Sequence, residues 1–153
     1  MNPNHTIERA LRDCLKAHWP HGHPRVSRGV ADRGGFYSAI DIGNESHGNM
    51  KTLPMTLVSS SEAESILPGL ANYRVQLTVT FISNPADNTL AQHETFANEI
   101  GKFLDGDTWI DWMETNGKAV IYTPFEARGS SLETNDLGHW ATNWEMTFVF
   151  YEL

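Results

Sequence analysis

Two hydrophobic periods run along the chain. In "YRVQLTVTFIS", Tyr73, Val75, Leu77, Val79 and Phe81 alternate with Arg74, Gln76, Thr78 and Thr80. A period of two predicts a strand with one buried face. "NWEMTFVFYEL" repeats the pattern, with Trp144, Met146, Phe148 and Phe150 on one side and Glu145, Thr147, Val149 and Tyr151 on the other. Its second side is itself half apolar. That fits a central strand, or one whose outer face meets a partner. Burying each large apolar side chain contributes about 1.5–3 kcal/mol, so four on one side hold this segment in a sheet against the cost of ordering it. "FYSAIDI" (Phe36 to Ile42), "MTLVSS" (Met55 to Ser60) and "AVIYT" (Ala119 to Thr123) are shorter strand candidates.

The helical period occurs twice. From Thr6 to Trp19, Ile7, Leu11, Leu15, His18 and Trp19 form one stripe, and Pro20 stops the helix. Asn4 or Thr6 is placed to cap it, and Glu8 is expected to favour the positive end of its dipole. From Thr89 to Leu104 the stripe is His93, Phe96, Ala97, Ile100, Phe103 and Leu104. Thr89 and Gln92 have capping-box spacing, and Gly106 is placed to end the helix. "SNPADN" turns the chain between strand and second helix. Pro20 to Gly35 and Pro124 to Thr142 read as long loops, a length that usually marks function or disorder. The order of helix, strands, helix, strands predicts an α+β fold: an antiparallel β-sheet with two α-helices packed on one face. It is expected to form a single domain over residues 1–153.

Composition narrows the classes. Apolar residues make up 40% and charged residues 20% of 153, which is globular rather than disordered. Eleven basic against 19 acidic residues give a net charge of −8, against a nucleic-acid binder. The charge is uneven. Met1 to Gly35 carries six basic residues and three acidic ones, while the remainder carries five and 16. Opposite ends of this kind can steer copies of one chain together, although a solvated, lopsided surface reads the same way. The single cysteine, Cys14, allows no internal disulfide. No leader-like apolar core and no run near the ~20 residues of a membrane span occurs, so a protein made in a cytoplasm is expected.

Candidate chemistry is sparse. "CLKAHWPHGH" gathers Cys14, His18, His21 and His23, residue types that bind zinc or copper, but at no standard zinc spacing. His18 also falls on the apolar stripe, where a core histidine is the commoner reading. "DGDTWIDWME" gathers Asp105, Asp107, Asp111 and Glu114, suited to a hard cation or acid–base work; the plain alternative is a solvated turn. There is no nucleophile elbow, phosphate loop or dinucleotide fingerprint. "GSS" at Gly129 to Ser131 and His139 do not make a triad. Trp109, Trp112, Trp140 and Trp144 would serve a stacking platform or, more commonly, a core or interface. These observations lead to no catalytic residue, no metal site and no cofactor.

From "YRVQLTVTFISNPADNTLAQHETFANEIGKFLDG" to the final "WEMTFVFYEL", the chain resembles the tail terminators and tail-completion (neck) proteins of tailed bacteriophages, of the lambda minor tail protein U type. The resemblance covers Ile7 to Leu153 as a pattern of elements and carries no catalytic motif. It implies a structural virion protein in the tail or neck, assembled in the host cytoplasm. It further implies a self-associated ring, typically a hexamer, that caps the tail tube, stops its polymerisation and meets the head-tail connector. Genomic DNA would pass the lumen without specific binding, and no membrane would be involved. Heterologous contacts round a closed ring need two complementary patches, which the basic and acidic portions supply. Arg25, Arg28 and Arg33 are the expected contacts to an acidic neighbour. Phe125, Arg128, Leu132, Leu137 and Trp140 are the expected contacts to the next protein in the stack. The alternatives are a head-tail connector or other tail-completion protein and, in another class, a small metal-dependent hydrolytic or ligand-binding domain.

Overall fold

In the computed structural model the two alternating segments lie side by side at the centre of one sheet. The structure describes residues 3–18, 35–38, 54–61, 63–67, 69–86, 89–121, 128–129, 133–134 and 138–153. Its helices are α1 (Pro3–His18), α2 (Leu90–Asp105) and α3 (Thr108–Thr115). Its strands are β1 (Gly35–Ser38), β2 (Met55–Ser60), β3 (Glu64–Ser65), β4 (Asn72–Ser83), β5 (Lys118–Ile121), β6 (Arg128–Gly129), β7 (Glu133–Thr134) and β8 (Trp140–Glu152). The main path runs β1-β2-β4-β8-β5, and every pairing is antiparallel except β1 with β2.

β4 and β8 pair over their whole overlap, from Asn72 opposite Tyr151 to Ser83 opposite Trp140. This register puts Val75, Leu77 and Val79 opposite Phe148, Met146 and Trp144 on one face. All six are buried, and the three helices supply the other side of the same core with Ile7, Leu11, Leu15, Ala97, Ile100, Leu104, Trp109 and Met113. The α+β architecture with helices on one face of an antiparallel sheet is therefore present. The close approach of α2 to the sheet uses Gly101, where a methyl group would sit 3.2 Å from the Trp144 indole nitrogen.

α3 adds a third helix where a solvated turn was the plain expectation. Its eight residues span two turns, too few for periodicity to declare itself. Tertiary packing sets it: Trp109 is fully buried against Phe148, with ring centroids 5.3 Å apart, and its indole N–H donates to the Leu104 carbonyl at 3.1 Å. The capping box on α2 is formed, with Gln92 N–H to Thr89 Oγ1 at 3.2 Å and Thr89 N–H to Gln92 Oε1 at 2.9 Å. Gly106 ends α2 with extended backbone rather than a left-handed turn. Glu8 does not sit in the first turn of α1, since the helix begins at Pro3; it is buried and accepts from the Ser60 hydroxyl of β2. Helix and sheet are joined there by a polar contact that the dipole reading missed.

Two irregularities shape the sheet edges. Ser60 opposes Leu77 and Glu64 opposes Arg74, so three residues span what two, Val75 and Gln76, span on β4. This is a β-bulge. Ser61 replaces the lost ladder bonds: its N–H donates to the Gln76 carbonyl at 2.9 Å, and its hydroxyl accepts from the Gln76 N–H at 3.1 Å. On the other side, the span expected to be a loop from Pro124 to Thr142 contributes two short strands that pair with β8, Arg128 and Gly129 with Glu145 and Trp144, and Glu133 and Thr134 with Ala141 and Trp140, and β8 itself starts at Trp140. Strands of two residues carry no legible alternation. Among the described residues no helix is long and apolar enough to cross a membrane.

Candidate functional site

The sheet face away from the helices is polar where β4 and β8 cross it. Arg74, Gln76, Glu145 and Thr147 are exposed there, and Thr80 Oγ1 donates to Asn143 Oδ1 at 2.6 Å across the strands. The bulge opens a groove of about 380 Å³ in this face, lined by Ser61, Glu64, Arg74, Val75, Gln76 and Thr147. It offers one cation, one anion and several hydrogen-bonding groups in an open setting. That composition suits a polar contact with another molecule. The hydroxyls in its lining are those of Ser61 and Thr147, and Ser61 Oγ is engaged by the Gln76 N–H.

At one end of the sheet the surface changes character. The β3–β4 turn is braced by Asn72, which is buried; its side-chain oxygen accepts from the Leu67 N–H at 3.1 Å, and its own N–H donates to the Leu70 carbonyl at 2.7 Å. Gly69 takes the left-handed conformation the turn requires, with φ of 84°. The turn holds Ile66, Leu67 and Leu70 in solvent, the last two 51% and 56% exposed. Asn72 pairs with Tyr151, and the Glu152 N–H donates to the Ala71 carbonyl at 2.8 Å, so exposed Tyr151 and Leu153 come to the same end. Five large exposed apolar side chains thus converge where a surface would ordinarily be polar. The signal in the sequence is the Pro–Gly pair flanked by leucines, Leu67 to Leu70, which marks a turn with an apolar tip.

The candidate ligand clusters fare differently. Cys14 is buried, and burial pushes its thiol up to about 12, so it is a neutral thiol at physiological pH. Its Sγ lies 3.7 Å from His18 Nδ1, which is also 2.9 Å from the Cys14 carbonyl. A carbonyl only accepts, so Nδ1 carries the hydrogen. His18 is exposed at the end of α1 and is not a core histidine, because the stripe reaches the surface there; its ring meets Trp112 edge-on, centroids 5.3 Å apart, and lies tilted to Phe103 at 5.9 Å. His21 and His23 lie outside the described residues. Asp105, Asp107, Asp111 and Glu114 are exposed around α3. Among the described residues no group of three or more potential ligands is placed to hold a metal ion. Gly129 lies in β6, Ser130 and Ser131 lie outside the described residues, and His139 is half-buried just before β8.

The tryptophans do not form a platform. Trp109 and Trp144 are core, while Trp112 and Trp140 are half-buried. Of the expected contact residues, Arg25, Arg28, Arg33, Phe125, Leu132 and Leu137 lie outside the described residues. Arg128 is placed by its backbone on the sheet, opposite Glu145. Trp140 begins β8 opposite Ser83, with its ring edge-on to His93 at 6.0 Å between centroids.

No family model matches the chain, and no curated protein matches its sequence.

Proposed function

We propose that the protein is a structural tail terminator of a tailed bacteriophage, with no reaction of its own. Copies of the chain close into a ring, six in number, that seats on the end of the tail tube. The ring stops tube polymerisation and offers its far side to the head-tail connector. It acts in the virion, at the tail or neck.

The observation that carries this reading is the apolar end of the sheet. Ile66, Leu67, Leu70, Tyr151 and Leu153 expose large side chains beside a well-filled core, so their exposure is not a shortage of interior space. In a ring they are covered by an adjacent copy. The net charge of −8 supports passage of DNA without adhesion, because phosphate binding relies on cations. Arg25, Arg28 and Arg33 then meet the acidic body of the neighbour, and Arg128 and Trp140 belong to the stacking side.

The test is imaging and light scattering of the purified protein, alone and mixed with tail tubes assembled without a terminator. Six-membered rings on tube ends, with elongation blocked, are expected. Reversing the three arginines together (Arg25→Glu, Arg28→Glu, Arg33→Glu) should abolish rings and leave the monomer folded. Rings that survive this change at ordinary salt would refute the arginine assignment. A monomer that never decorates tube ends would refute the function.

A further inference from the structure

We infer that His93 is a pH-operated latch that holds the first turns of α2 against the sheet only while its imidazole is neutral. His93 is the fourth residue of α2 and 1% exposed. It is clasped from both sides. Nδ1 lies 2.6 Å from Ser83 Oγ at the end of β4, and Nε2 lies 2.9 Å from Thr142 Oγ1 near the start of β8. Phe81 packs on the ring at 4.9 Å between centroids, and Trp140 closes the edge at 6.0 Å. One side chain therefore ties together a helix and two strands whose partners lie 10 and 49 residues away in sequence.

A neutral imidazole suits this clasp, since one nitrogen donates and the other accepts, and each hydroxyl does either. Both hydroxyls can equally accept from an imidazolium, so the cation is disfavoured by burial and not by its hydrogen bonds: the residue is 1% exposed. The inner faces of β4 and β8 around the ring carry Phe81, Ser83, Trp140, Thr142 and Trp144, with no carboxylate among them. On α2 itself, Glu94 is exposed and Glu99 is half-buried a turn and a half further on. His139, half-buried ahead of Trp140, brings no negative charge; of the neighbouring carboxylates, Glu133 of β7 is placed by register opposite Ala141 and Glu145 is exposed on β8. The ring also sits in the first turn of α2, at the positive end of the helix dipole, which disfavours a second positive charge. Burial accordingly lowers the His93 pKa from its ordinary 6.5.

The sign follows. A histidine with a depressed folded pKa gives its full stabilisation above the unfolded value near 6.5 and loses it as pH falls from there toward the folded value. Releasing the clasp frees the N-terminal half of α2 and uncovers Phe81 and Trp140. The device is independent of whether the protein forms a ring.

The test combines an NMR titration of the His93 ring with amide hydrogen exchange across α2 between pH 7.5 and 5.0, corrected for the intrinsic pH dependence of exchange. His93 should titrate below the ordinary histidine value. Exchange in the first turns of α2 should speed up as pH falls, by a factor bounded at about 30, the protonation ratio of an unfolded histidine at pH 5. His93→Gln, neutral at every pH, should lose this acid response. A wild-type His93 that titrates at or above 6.5 overturns the inference, as does a His93→Gln protein with the same acid response. The wild-type titration needs no variant, so a His93→Gln chain that fails to fold leaves the test decisive.

Discussion

Truncating Phe148 tests the central claim that β8 is a core strand. Phe148 is fully buried and opposes Val75 in the β4–β8 ladder. Its ring lies 5.3 Å from that of Trp109 and 6.2 Å from that of Phe150. Phe148→Ala removes the transfer energy of a phenyl group and leaves a cavity between the sheet and α3, a change that costs about 3–5 kcal/mol. Part of that loss, about 0.5–1.5 kcal/mol, belongs to the aromatic contact with Trp109 and emerges as coupling in a double-mutant cycle with Trp109→Leu. The assay is urea unfolding, with the loss seen as a lower midpoint at unchanged slope. Thr147→Ala, one residue away but exposed on the opposite face, is the control and should stay within about 0.5 kcal/mol of the parent. Phe148→Asp, which buries a carboxylate among aromatic rings, should abolish cooperative unfolding. If Phe148→Ala and Thr147→Ala cost the same, about 1 kcal/mol or less, the face assignment of β8 is refuted.

Two further stability changes follow from local chemistry. Thr56 is fully buried on β2 and its hydroxyl has no hydrogen-bond partner among the described residues, so Thr56→Val, of nearly the same shape, should stabilise by about 1 kcal/mol; a measurable loss in urea unfolding would show that the hydroxyl is satisfied. Thr89→Ala removes one half of the α2 capping box and should cost about 1 kcal/mol, with faster amide exchange confined at first to residues 90–93; an unchanged midpoint would mean that the cap contributes nothing.

Much of this fold was legible because period-two and period-3.6 patterns are local. The alternation in residues 73–83 and 144–150 declares which side chains face inward, and β4 and β8 bury the expected ones except Tyr73, which is half-buried at the end of β4. The α2 stripe is equally plain, with His93, Ala97, Ile100 and Leu104 buried at helical spacing behind a cap readable from Thr89 and Gln92. The candidate site was less legible. The groove depends on a bulge that shifts Glu64 by one register position, and the apolar end depends on pairing Asn72 with Tyr151. Neither leaves a periodic mark.

By itself, then, the sequence determined the two long strands, the two long helices, their apolar faces, and the placement of His93 on a buried stripe. Tertiary structure decided the rest: the parallel pairing of β1 with β2, the two-residue pairs along β8, the short helix α3, and the meeting of Ser83, His93 and Thr142. The division has one physical cause. A face is chosen by residues two to four positions apart, whose spacing is written in the chain. Which distant segments share that face is chosen by filling a common core, whose energy appears only once all of them are in place.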